Sequence, residues 1–180
     1  MTEPAAQSFA LINLDDAPKR GDSHGQHFAY EMAILSRTVG GRDIAANVTR
    51  VPPGKTAFPA HHHFAQEEHF FILSGNGLVR IGDQTHPVKA NDYLVHLPGG
   101  PETAHQLINT GEEDLFYLAI STTQIPEVVG YPDSGKTGVR YQDHPAPRFL
   151  VEDQNKDTVG YWDGESGAQM AAHLRRDGST

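Results

Sequence analysis

The chain is 180 residues long, with 23 Asp and Glu against 14 Lys and Arg, a formal net charge of −9 and 37% hydrophobic residues. That length favours one globular domain with extra segments, and the acidic balance disfavours a general electrostatic binder of nucleic acid, which needs Lys and Arg to neutralise phosphates. With no Cys, disulfides, thiolate zinc sites, iron–sulfur clusters and a thiol nucleophile are excluded, so metal ligands would have to come from the eleven His and the carboxylates.

The N-terminal stretch Met1 to Leu14 has no basic start, and Phe9–Ile12 is too short for a signal-peptide core. No apolar run approaches the roughly 20 residues of a membrane helix. The expectation is a soluble cytoplasmic protein with neither membrane nor nucleic-acid partners. Residues 1–40 read as an N-terminal arm and edge strands, the apolar patch Phe9–Leu14 supplying one of them. From Phe28 to Thr122, β-prone runs alternate with Gly, Pro, Asp and Asn at intervals of about 8 to 12 residues, the rhythm of a sandwich or barrel. The expected strands are Phe28–Ser36, Asp43–Val51, Phe58–His63, His69–Leu73, Leu78–Ile81, Tyr93–Leu97, Ala104–Asn109 and Leu115–Ser121, with Ser74-Gly75-Asn76-Gly77 a hairpin turn. Residues 41–123 thus form the barrel. Residues 124–180 read as an irregular tail held onto it by isolated aromatics such as Trp162, with Ala168–Arg176 the one plausible helix.

The informative segment runs from Gly54 to Asn109. His61 and His63 stand at i and i+2, a spacing that sends both imidazoles to one face of a strand and His62 to the other. Glu68 opens the next apolar run and His105 lies in a later one. Imidazoles plus one carboxylate suit a divalent transition metal. An exposed His-rich loop is the plain alternative, but this one runs straight into Phe70-Phe71-Ile72-Leu73, a buried strand.

At these residues the chain resembles the cupin superfamily. Gly54, His61, His63, Glu68 and Gly75 follow the first motif of that family, with one extra residue between Gly54 and His61. Pro98, Gly100, His105 and Asn109 follow the second, with two extra residues before His105 and with Asn91 where a Gly usually precedes Asp92. The resemblance covers about residues 45–122. It implies a jelly-roll barrel, hence an all-β fold, with a divalent metal ligated inside by His61, His63, Glu68 and His105. Fe(II) and Mn(II) come first, and Zn(II), Ni(II) or Cu(II) also fit the set. Glu67 is the alternative carboxylate, but the six-residue gap to Gly75 and the parity with Phe70 and Ile72 favour Glu68. Asn109 reads as a residue that orients neighbours.

Gly130 to Thr137 matches the P-loop pattern letter for letter, yet Ile125-Pro126-Glu127 precedes it and no helix follows, so Pro132-Asp133-Ser134-Gly135 reads as a β-turn. Tyr93, His96, Tyr117 and Arg80 are further residues that could line a pocket, each more commonly packed or solvated. No catalytic residue is singled out, and no organic cofactor site is expected. The function implied by resemblance is a metal-dependent protein acting on a small oxygenated organic molecule, first as a dioxygenase-like oxidoreductase. Isomerase, decarboxylase or lyase chemistry and a non-catalytic sugar- or carboxylate-binding module are the alternatives. A homodimer is implied in the same way.

Overall fold

The computed structural model describes residues 9–140, 150–152 and 160–176. In chain order the strands are β1 (Lys19–His24), β2 (Phe28–Ile34), β3 (Ile44–Val51), β4 (His62–His63), β5 (Glu68–Ser74), β6 (Asn76–Ile81), β7 (Gln84–Lys89), β8 (Tyr93–His96), β9 (His105–Ile108), β10 (Leu115–Thr122), β11 (Glu127–Tyr131), β12 (Lys136–Arg140) and β13 (Leu150–Glu152). One helix, α1, spans Ala168–Arg176. A six-stranded sheet runs β1-β2-β3-β10-β5-β8, and it faces two smaller groups, β7-β6-β9 and β13-β12-β11-β4. Every paired strand in these sheets is antiparallel. This is the all-β jelly roll that the family resemblance implies, and it agrees with the sandwich or barrel that the spacing of the apolar runs predicts.

Alternation decides which side chains close the interior. In β10, Leu115 and Tyr117 are buried while Phe116 and Leu118 between them face outward, and in β5 the same holds for Phe70 and Ile72 against Phe71 and Leu73. These inward residues pack with Val51, Val79, Val88 and Leu107 from the facing strands. Full burial stabilises by roughly 1.5 to 3 kcal/mol per large apolar side chain, which fixes a register that a slip of one residue would invert. Gly75, at φ 81°, turns β5 into β6. A side chain there would also strike the Asp114 carbonyl oxygen.

Four segments differ from the sequence expectation, one of them β7 (Gln84–Lys89), which is not among the expected strands. Phe9–Leu14 forms no strand, and Phe9 and Leu11 remain exposed; the edge is β1, a polar strand that pairs with β2 through its backbone. The run from Phe58 narrows to β4, since Pro59 has no N–H to give a ladder, although His61 makes a single bridge to His105. The tail is not irregular through Arg140. Strands β11 and β12 form a hairpin, β13 adds to β12, and β11 pairs with β4. Glu127, Gly130 and Lys136 break its apolar pattern, which hides it from a period-two reading. No helix among the described residues is long and apolar enough to cross a membrane.

Candidate metal centre

Three strands and the residue leading into one of them bring the expected ligands together. His63 lies on β4 and His61 just before it, Glu68 begins β5, and His105 begins β9, bridged to His61. All three imidazoles direct Nε2 at one oxygen: Glu68 Oε2 stands 2.9 Å from His105, 3.2 Å from His63 and 3.7 Å from His61. Donor atoms of His61, Glu68 and His105 all lie within 4.8 Å of one another. Ligand atoms bound about 2.1 Å from one ion stand about 3 Å apart, so this cluster is close to ligating dimensions. Glu67 turns elsewhere and pairs with His69 at 2.6 Å.

The far side of each imidazole tests whether a cation fits. His61 Nδ1 is 2.8 Å from the carbonyl oxygen of Pro59, and His63 Nδ1 is 3.3 Å from Glu127 Oε1. Both partners are acceptors, so each Nδ1 carries the hydrogen and donates it. The neutral rings then point Nε2 lone pairs at a carboxylate oxygen, an arrangement that a divalent cation satisfies and that otherwise demands protons. His63 Nε2 and His105 Nδ1 are buried without a well-formed hydrogen bond. The donor set therefore fits a divalent metal.

Electrostatics agree with that reading. Burial acts to raise the Glu68 pKa, but the imidazoles of His105, His61 and His63 turned toward its carboxylate hold it well below the usual carboxylate range. Burial acts to lower that of His63, yet Glu127 and Glu68 raise it from 6.5 to about 9. His105 is lowered, by burial before all else.

Two further groups adjoin the cluster. His96, on β8, stacks on His105 with ring centroids 4.0 Å apart, and its Nε2 is buried and unpartnered. Burial and then the neighbouring His105 depress its pKa to about 3, leaving a neutral ring. Tyr117 is fully inside the barrel, where burial raises its phenol pKa. A small cavity of about 20 Å³ beside His61 and His105 is walled by Phe58, Phe70, Leu107 and Tyr117.

The remaining sequence-stressed residues take structural posts. Asn109 donates to the carbonyls of Val51 and Glu113, stapling a turn. Asn91 adopts φ 75°, a left-handed conformation that Asn tolerates better than other side chains, which explains how it replaces Gly. Arg80 is tied bidentately to Asp133 at 2.6 and 2.8 Å, beside a second, larger open cleft of about 700 Å³. Tyr93 is exposed. Lys136, in the P-loop-like stretch, is buried against Glu165 at 2.9 Å and donates to the Tyr161 carbonyl, while Pro132 to Gly135 form a turn. Trp162 stacks on His24 and meets Phe28, anchoring the tail.

Sequence reasoning missed Glu127, which is fully buried on β11. No motif spacing links residue 127 to the histidines, and an acidic residue in Pro126-Glu127-Val128-Val129 carries no signal of burial. His96 was nameable but not placeable, because parity within β8 follows only from its register against Glu68.

The family model for a cupin domain matches residues 47–121. Auxin-binding protein 1 of Arabidopsis thaliana is 29% identical over 132 residues, which is 67% of this chain and 63% of that protein, so the chain spans less than two thirds of that relative's length. A solved structure from Acidithiobacillus ferrooxidans, named "Putative sugar phosphate isomerase", is 25% identical with a TM-score of 0.64, covering 73% of this chain and 80% of its own. A sugar phosphate isomerase of the cupin superfamily from Silicibacter pomeroyi shares the fold at 19% identity and a TM-score of 0.70, over 84% of this chain and 97% of its own.

Proposed function

Residues 47–121 form a cupin domain, and on that premise we propose that the chain is a metal-dependent enzyme acting on a small oxygenated organic molecule by isomerase-type chemistry. The observation that carries this reading is the convergence of three imidazole Nε2 atoms on one oxygen of Glu68 inside the barrel. A divalent ion held by His61, His63, Glu68 and His105 would supply Lewis acidity toward a carbonyl or hydroxyl oxygen. The chain itself supplies the rest. His96, with its free buried Nε2 and a ring kept neutral by burial and by His105, is a group available to accept a hydrogen bond from the ligand. Tyr117, whose hydroxyl is engaged with Thr49, keeps its phenol proton. Phe58, Phe70 and Leu107 keep water from the wall of the site.

The polar groups His96 and Tyr117 beside the ligands and the name of the Acidithiobacillus neighbour put isomerase, decarboxylase and lyase chemistry ahead of a dioxygenase-like oxidation, which has only the ligand set in its favour. The Acidithiobacillus neighbour supports a polyoxygenated ligand. A phosphate is not part of the proposal, because the buried cations Arg80 and Lys136 are each committed to a carboxylate. A binding module without turnover is the second reading. It is favoured by a cavity of about 20 Å³, room for about one water, and by the Arabidopsis relative, which is named for binding auxin.

The test is anaerobic reconstitution with Mn(II), Fe(II), Ni(II) or Zn(II), followed by a panel of sugars, hydroxy acids and dicarboxylic acids with mass detection and an oxygen electrode. The expected result is one metal per chain and product formation independent of oxygen, both lost in a His61→Ala/His105→Ala variant. Product formation coupled to oxygen uptake would replace the isomerase reading with the dioxygenase. A ligand-induced thermal shift with no product would leave the binding module.

A further inference from the structure

We propose that Glu127 is a positioning residue of the metal centre, supplied from outside the family-matched segment to fix which nitrogen of His63 binds the ion. This rests on the metal-dependent reading above and extends it to a residue that neither of the sequence motifs contains.

The geometry is local and specific. Strand β11 lies directly against β4, with Val129 opposite His63 and Gly130 opposite His62. That pairing delivers the first residue of β11, Glu127, behind the His63 ring. Its Oε1 accepts from the Phe64 backbone N–H at 3.1 Å and lies 3.3 Å from His63 Nδ1. The Phe64 N–H also reaches the Val128 carbonyl at 3.1 Å, so this backbone group does not depend on Glu127 alone. His63 does, since its opposite nitrogen faces Glu68. An imidazole free to rotate about its ring axis could present either nitrogen; one whose Nδ1–H is held by a carboxyl group presents Nε2 only. Such carboxylate–histidine pairs also raise the basicity of the ligating nitrogen, and losing them weakens metal binding by roughly 10- to 100-fold. Glu127 is fully buried, and the matched cupin segment ends at residue 121. The tail hairpin is therefore part of the centre rather than a wrapper around it.

Co(II) is the probe, because its visible absorption reports the number and kind of its ligands. Affinity is measured on the full chain by competition with a chelator, for wild type, Glu127→Gln and Glu127→Ala, with Glu68→Ala as the reference for a lost ligand. Glu127→Gln keeps an oxygen that accepts from both N–H groups, so it is expected to retain the wild-type spectrum with a moderate loss of affinity. Glu127→Ala is expected to bind Co(II) at least tenfold more weakly with an altered spectrum, at a melting temperature that circular dichroism shows to be cooperative. If Glu127→Ala does not fold, the Glu127→Gln affinity decides, and an unchanged value overturns the proposal. Variants indistinguishable from wild type in affinity and spectrum overturn the proposal while leaving the metal reading intact. A wild-type chain that takes up no Co(II) overturns both.

Discussion

His63 is held between two carboxyl groups, 3.2 Å from Glu68 at Nε2 and 3.3 Å from Glu127 at Nδ1. Burial alone would lower its pKa; Glu127 and Glu68 outweigh it and carry the value to about 9. An unfolded chain releases that proton near 6.5. In the metal-free protein the pairing therefore contributes stability fully present below about pH 6.5 and lost as pH rises through about 9. A metal at Nε2 must displace the proton. Calorimetric titration with Zn(II) at pH 7, repeated in buffers of different ionisation heat, should show about one proton released per ion, with the release fading by about pH 10. Release that does not change across that range would show that His63 stays outside the exchange.

Strand β11 owes its place to Gly130. A Cβ there would overlap the His62 ring, which is itself fixed by its Nδ1, 2.9 Å from the Gly99 carbonyl. Gly130→Ala should cost about 1 to 3 kcal/mol, the range for forcing atoms into filled space, and lower the urea midpoint of unfolding. An unchanged midpoint would mean that β4 and β11 separate easily. The contrast with β10 shows what a sequence makes legible. Leu115, Tyr117 and the outward Phe116 and Leu118 alternate cleanly, so that strand is readable to within one residue of its end. In β11 a buried acid and a clash-avoiding glycine replace the pattern, and in β7 the mostly exposed run Gln84–Lys89 pairs through its backbone with Val88 its one buried side chain, too little to advertise an apolar face. The cluster of His61, His63, Glu68 and His105 could be named because these residues follow two motifs of a known family. Glu127 has no spacing partner, and its role exists only once β11 is docked.

At the scale of the molecule, one face of the large sheet stays uncovered by the described residues. Phe71, Leu73, Tyr93, Val95, Leu118 and Ile120 point outward from the adjacent strands β5, β8 and β10, and cross-strand pairing sets them side by side. We propose that two copies meet there: these six side chains are uncharged and the one carboxylate beside them, Glu67, is paired with His69, so chains of net charge −9 can approach, and stable pairs bury about 800 Å² on each partner. Light scattering should give about 39 kDa, twice 19.7 kDa, falling to the monomer mass in Leu118→Asp; a wild-type monomer at tens of micromolar would refute the pairing. A different consequence follows from how far along the chain the site is gathered. Glu68 meets His105 across 37 residues and His63 meets Glu127 across 64. Contacts this distant form late and slowly, because the chain must close large loops before any of them is rewarded. A ribosome has to release residue 131 before β11 can dock on β4, so all four candidate ligands, the last of them His105, are made before Glu127 can reach His63. Assembly of the centre is thus completed by the tail, after the barrel strands that carry those four residues have been synthesised.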